Sequence, residues 1–155
     1  MEILIYGEEK KREILLQMEK GLRCESEGNS LLPESAYGLP GAKNTLRIMR
    51  EAPILIMVLN PEGKSPFEAL TADERFTEIV DTLSIGAAIE NMLLQAEELS
   101  IVTLWIGNAC FAYPELVDYM GVIGQLVGAV ALGLADEKPL PRTRKKTEVI
   151  AEYRI

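Results

Sequence analysis

Four of the sixteen basic residues of this chain, Arg142, Arg144, Lys145 and Lys146, fall within five positions in the stretch PLPRTRKKTEVI. The chain as a whole is acidic, with a formal net charge of -8. Guanidinium and ammonium groups in that density suit the oxygens of a phosphate or another anion. The competing reading is a solvated charge run. The remaining chemistry-bearing types are sparse. There is no histidine, which removes every His-based triad and the usual proton shuttle near neutral pH. Cys24 and Cys110 are far apart and form no CxxC pair, so neither a disulfide framework nor a zinc site is expected. An enzyme built from these residues would borrow its chemistry from a cofactor.

The bulk composition limits the partners. An acidic balance argues against broad nucleic-acid binding. No apolar run approaches the roughly 20 residues needed to span a bilayer, and MEILIYGEEKKRE turns charged too early for a secretory signal. A reducing cytoplasm is the expected home. At 155 residues and 48% apolar content, a single folded domain over residues 1–155 is expected.

The elements that must position these residues read as follows. Glu2–Tyr6 is a strand ending at Gly7, and Glu8–Leu22 is an amphipathic helix with Ile14, Leu15, Met18 and Leu22 at helical spacing. Residues Glu25–Pro40 read as a long loop, followed by a short helix around Asn44–Arg50. Pro53–Leu59 is continuously apolar, the pattern of a central strand covered on both faces. Pro61–Arg75 is an excursion carrying Phe67. The longest helix, Phe76–Leu99, leads into a strand at Ile101–Trp105, a short helix at Pro114–Met120 and a glycine-rich strand at Gln125–Gly133. Thr147–Tyr153 reads as a final extended segment. Strands and helices do not alternate regularly, which favours α+β layers over a doubly wound sheet.

The long helix has two apolar sides. Ile85, Ala88, Ile89, Met92, Ala96 and Leu99 form an ordinary core stripe. Leu83, Gly86, Ala87, Asn91 and Leu94 lie opposite, and such a face suits close approach by a partner subunit. The alternative is a central helix wrapped by its own domain.

Three segments in this order, DTLSIGAAIENMLLQAEELSIVTLWIG, QLVGAVALG and PLPRTRKKTEVI, resemble the FMN-dependent nitroreductase family. The matching residues are Asp81, Ala87 or Ala88, Asn91, Leu94, Thr103, Trp105, Ile106 and Gly107, with Gly133 ending a strand and Arg144–Lys145 in the basic turn. APILIMVL at Ala52–Leu59 resembles the family's central strand. The resemblance implies an α+β, nitroreductase-like three-layer fold, with a mixed, mostly antiparallel sheet flanked by helices. It also implies a homodimer holding FMN in a cleft between subunits, with NADH or NADPH as cosubstrate and a nitro-aromatic, quinone or similar acceptor.

By the same resemblance, Arg144, with Lys145 second, reaches the FMN phosphate, while Arg142 and Lys146 are rim charges. Backbone N–H groups at Trp105–Ile106–Gly107 would face the flavin ring, Gly107 leaving room for it; Trp105 itself is expected in the core. Asn91 is an interfacial or capping amide, and no residue is assigned a catalytic role. Two departures stand out. Complete members carry Arg-Arg-Ser-x-Arg and Ser-x-x-Asn-x-Gln-Pro-Trp segments before the first strand; this chain has neither, and PGAKNTLR at Pro40–Arg47 only imitates the second. The expectation is therefore an N-terminally shortened member, and a non-catalytic homodimer with weak or no flavin binding is the alternative function. A generic anion-binding module is a third reading. Ser100 replaces a helix-terminating glycine.

Overall fold

The computed structural model describes residues 1–28, 30–135, 140 and 143–154; Arg142 lies outside the described residues. Four strands, β1 (Glu2–Gly7), β2 (Ile54–Asn60), β3 (Val102–Ile106) and β4 (Gln125–Gly133), form one sheet in the order β1-β2-β4-β3. Every pairing is antiparallel. The helices are α1 (Glu8–Ser26), α2 (Leu39–Glu51), α3 (Ala72–Glu98), α4 (Tyr113–Met120) and a single turn, α5 (Thr147–Ile150).

The central position of β2 and β4 explains their uninterrupted apolar sequences, because side chains on both faces must be covered. Leu55, Met57, Leu59, Ala129 and Ala131 point into the larger core, against Ile14, Met18 and Leu22 of α1, Met49 of α2 and Leu116 of α4. Ile56, Val58 and Val130 point the other way, against Ile85 and Ile89 of α3. The result is the expected three-layer α+β arrangement, with α3 alone on its face. Edge strand β1 shows the consequence: Leu4 and Tyr6 pack on the larger core, whereas Ile3 and Ile5 on the α3 side remain exposed.

Three local readings need correction. The stretch Glu25–Pro40 is not a long loop. Helix α1 runs on to Ser26, and the buried Glu25 carboxylate accepts hydrogen bonds from Ser30 Oγ and Leu31 N, both at 2.6 Å. A 3-10 turn over Pro33–Gly38 then leads directly into α2, whose Pro40 sits in the first turn, where its missing N–H costs nothing. Thr147–Tyr153 is not extended throughout. With no strand beside it among the described residues, its first four residues close on themselves through Val149 N to Lys146 O (3.0 Å) and Ala151 N to Thr147 O (2.8 Å). Leu99 belongs to the helix cap instead of the core and is exposed.

Helix α3 starts earlier than its apolar period suggests, because a capping box sets the boundary. Thr71 Oγ1 accepts from Glu74 N, and the Glu74 carboxylate accepts from Thr71 N at 2.8 Å. Lys64 adds an ion pair to Glu74 at 2.6 Å. The Lys64 ammonium, with the Thr71 backbone and hydroxyl donors, holds the Glu74 carboxyl down to about 2 from its usual 4.5. A carboxyl lowered on folding contributes stability above its unfolded value, and that contribution is lost as pH falls from about 4.5 through about 2. Glu74→Gln should therefore flatten the stability-against-pH curve in that window, measured by urea unfolding at several pH values. An unchanged slope would mean the pair contributes nothing.

The other end of α3 stops in a Schellman motif: Ile101 N donates to Ala96 O (2.8 Å) and Ser100 N to Glu97 O (2.9 Å). Ser100 takes the left-handed position with φ 59°. A side chain there costs about 1 kcal/mol or more relative to glycine. Ser100→Gly should stabilise by about 1 kcal/mol and raise Tm by roughly 2–4 °C, and calorimetry would check it.

Candidate functional site

The family-matched strand end is positioned by the antiparallel pairing of β3 with β4, in which Trp105 lies opposite Val130 and Ile106 opposite Ala129. Alternation sends Ile106 into the larger core and Trp105 to the α3 side. Trp105 is not a core residue: it is 42% exposed, because β3 is an edge strand. Two glycines lie alongside the indole at ordinary contact distance. A Cβ on Gly86 of α3 would lie 3.7 Å from Trp105 Cη2, and one on Gly128 of β4 would lie 3.4 Å from its Nε1. Gly86 thus faces Trp105 within the chain, with room for a methyl group. Leu83, Ala87, Asn91 and Leu94 on the same helix are exposed, so this domain does not wrap α3.

Gly107 behaves differently from those glycines. Its φ is -89° and its ψ -25°, a conformation open to any residue. Among the described residues, no atom beyond its own chain neighbours lies within 4 Å of where its Cβ would stand. Neither the backbone nor the packing requires a glycine here, so the missing side chain leaves space next to the strand end and nothing else. Gly107 also borders a cleft of about 200 Å³ with Pro66, Thr82, Cys110, Tyr113, Gln125 and Gly128. Burial pushes the Cys110 thiol up from its ordinary pKa, which keeps it protonated and a poor nucleophile at neutral pH.

The next residue, Asn108, carries a signal that sequence reasoning missed. Its Nδ2 donates to Thr45 Oγ1 at 3.0 Å, across 63 positions of chain, and the Thr45 hydroxyl in turn donates to Gly41 O at 3.0 Å. That relay fixes the amide with its NH2 toward α2. Asn108 Oδ1 is left buried with no partner among the described residues, an acceptor that costs stability unless something donates to it. An asparagine directly after a strand-ending glycine was the only sequence hint.

A flavin ring offers what this corner lacks. It presents a carbonyl edge for backbone donors, and the open space at Gly107 fits such a group; Asn108 Oδ1, one residue on, is an acceptor lying fully beneath the surface. The basic residues are a different matter. Arg144 and Lys145 are exposed on the segment leading to α5, and neither forms an ion pair among the described residues. No hydrogen bond among the described residues ties them to Gly107. The expected Phe67 excursion is anchored: its ring meets Tyr113 edge-on at 5.6 Å, and Lys64 ties the segment to α3.

The sequence profile of the Nitroreductase family matches residues 2–134. The chain belongs to the nitroreductase family. Crystal structures repeat the fold at low identity. A nitroreductase-like family protein from Bacillus cereus superposes with a TM-score of 0.66 at 17% identity, over 98% of this chain and 72% of that one. A putative nitroreductase from Desulfovibrio desulfuricans, in complex with FMN, gives 0.64 at 19% identity, over 99% and 72%. The FMN-dependent nitroreductase NfnB from Mycobacterium smegmatis, in complex with NADPH, gives 0.65 at 14%, over 98% and 78%. These three confirm the nitroreductase architecture for this chain; the ligands named are theirs. No helix among the described residues is long and apolar enough to cross a membrane.

Proposed function

We propose that this nitroreductase-family chain is a flavin-dependent oxidoreductase, which uses FMN to carry hydride equivalents from NADH or NADPH to a nitro-aromatic, quinone or similar acceptor. The observation that carries the reading is Gly107, a glycine that neither backbone strain nor internal packing demands. Bound FMN would supply the two-electron redox chemistry. The chain's own residues would bind and orient. Gly107 admits the ring against the strand end and offers backbone polarity to its edge. Arg144, with Lys145 beside it, neutralises the phosphate. Trp105 and Ile106 hold the strand end through their two opposite faces. A homodimer built on the exposed side of α3 would close the cleft, in a reducing cytoplasm.

The phosphate assignment has a direct test. Arg144→Ala should weaken FMN binding by roughly tenfold or more, the worth of a hydrogen bond to a charged group. Riboflavin, lacking the phosphate, should hardly respond. Equal losses for both ligands, or none for either, would return the basic stretch to a solvated charge run. A second reading, a non-catalytic homodimer with weak or no flavin binding, is favoured by one observation: Arg144 and Lys145 have no described tie to the Gly107 corner.

A further inference from the structure

The strand register separates a second groove from the Gly107 corner. Asn60 faces Gln125 at the end of the sheet toward which β3 runs into Gly107, whereas Gly7 faces Ile54, and Ile54 faces Leu132, at the opposite end. There a groove of about 830 Å³ opens between the start of α1 and the end of α2, bordered by Glu8, Lys11, Arg12, Leu16, Arg50 and Pro53. Lys11 builds its inner wall. Helix α2 leaves through an extended Ala52 and then Pro53, with no glycine to turn back over its last carbonyls. Lys11, 8% exposed, supplies the missing donors: Nζ reaches Arg50 O at 2.9 Å, Met49 O at 3.4 Å and Ala52 O. These partners are neutral carbonyls, so the positive charge stays uncompensated inside the wall. Burial first, and then repulsion by the Arg12 guanidinium, lowers the Lys11 pKa from its ordinary 10.5. Arg12 itself forms no ion pair among the described residues, not even with Glu8 one turn earlier. Arg50 pairs with Glu19 through one nitrogen, Nη2, at 2.8 Å, and a guanidinium has others to donate.

We propose that this groove binds a small monocarboxylate with an apolar body, an aryl or short acyl acid, its carboxylate on Arg12 and Arg50 and its body on Leu15, Leu16 and Pro53. Charge sign carries the argument. The chain as a whole has a net charge of -8, yet Lys11, Arg12 and Arg50 line this groove against the single carboxylate of Glu8. A cleft lined mostly by one sign focuses its field on a ligand of the other, and the guanidinium fork suits carboxylate oxygens. An anion there also relieves the repulsion between Lys11 and Arg12. Glu8 sets the limit, favouring one negative charge over a polyanion. The apolar half follows from Leu16, which is 60% exposed on the lining with Pro53. The volume lies within the roughly 300–1,000 Å³ of small-molecule sites. No residue bordering the groove belongs to the Gly107 corner or to the basic turn, so the proposal does not rest on the flavin reading.

The test titrates the purified protein with three probes and reads backbone amide shifts. They are 4-phenylbutanoate, the neutral 4-phenylbutanamide of the same shape, and inorganic phosphate, an anion with no apolar body. The carboxylate should saturate, with shifts in residues 8–16 and 50–53, and its affinity should fall as salt is added. The amide should bind at least about tenfold more weakly, the worth of a hydrogen bond between charged groups, and phosphate should not saturate. Arg12→Gln should erase the preference for the carboxylate, whereas Leu16→Ser should weaken carboxylate and amide alike. Both side chains are exposed, so both variants should keep the folded spectrum; if either does not fold, the three-probe comparison on the unaltered chain decides alone. Equal affinities for carboxylate and amide, no saturation at millimolar carboxylate, or shifts confined to other residues would overturn the proposal. Saturation by phosphate as tight as by the carboxylate would overturn it too, since the apolar body would then contribute nothing. FMN takes no part in any arm, so either reading can fail and leave the other standing.

Discussion

Ala87→Glu is expected to turn the proposed homodimer into a monomer. On α3, Leu83 is 70% exposed and Leu94 60% exposed, with Ala87 exposed between them at helical spacing. Ile3 and Ile5 of β1 are exposed on the same side of the sheet. An apolar side of this extent on a helix that already buries Ile85 and Ile89 beneath it suits a partner subunit. A charge at its centre would be desolvated without a counter-ion on association, a penalty of several kcal/mol for each of the two copies. Within one chain the same glutamate points to solvent and sits in a helix, where it is well tolerated. Sedimentation should therefore show folded monomer for the variant against dimer for the unaltered chain. A stable monomer for the unaltered chain would end the dimer proposal.

Gly107→Val should abolish most flavin binding and leave stability unchanged within about 0.5 kcal/mol, the usual range for a surface change away from packing. The asymmetry follows from the geometry. Beyond its chain neighbours, the described residues place nothing within 4 Å of the missing Cβ, and φ of -89° suits valine. Any loss therefore comes from a ligand that needs the same space. Gly128→Val is the contrasting control: a Cβ there would lie 2.8 Å from Ile106 O, so that variant should lose stability through clash with backbone. Equal FMN affinity in Gly107→Val and the unaltered chain would place the ring elsewhere.

The strands were the most legible elements, because burial on both faces leaves an uninterrupted apolar signal; β4 occupies the predicted Gln125–Gly133 span. Trp105 was misread for a related reason. Its strand sequence looks like a core strand, but β3 lies at the edge, and strand order is a tertiary property that local sequence does not carry. The start of α3 was written in the sequence as Thr71-Ala72-Asp73-Glu74, a capping box that an apolar-period reading passes over. The tail is the converse case. Thr147–Tyr153 has strand-forming residues, yet a strand requires a neighbour, and alone the segment closes a single helical turn.

The candidate site divided along the same line. Gly107 was singled out through its motif, whereas the Asn108–Thr45 contact joins residues 63 positions apart and no local pattern announces it. Ser100 was visible as a departure from the expected glycine, and its left-handed backbone gives that departure an energetic consequence.

The claim that organises the account is that the Gly107–Asn108 corner of this nitroreductase-family chain holds a flavin. Titration of the purified protein with FMN, followed by visible absorbance and by quenching of flavin fluorescence, tests it most directly. Saturable binding at one site per chain is expected, with a perturbed flavin spectrum, strongly reduced in Gly107→Val. A colourless protein whose addition leaves the spectrum and fluorescence of FMN unchanged would contradict it.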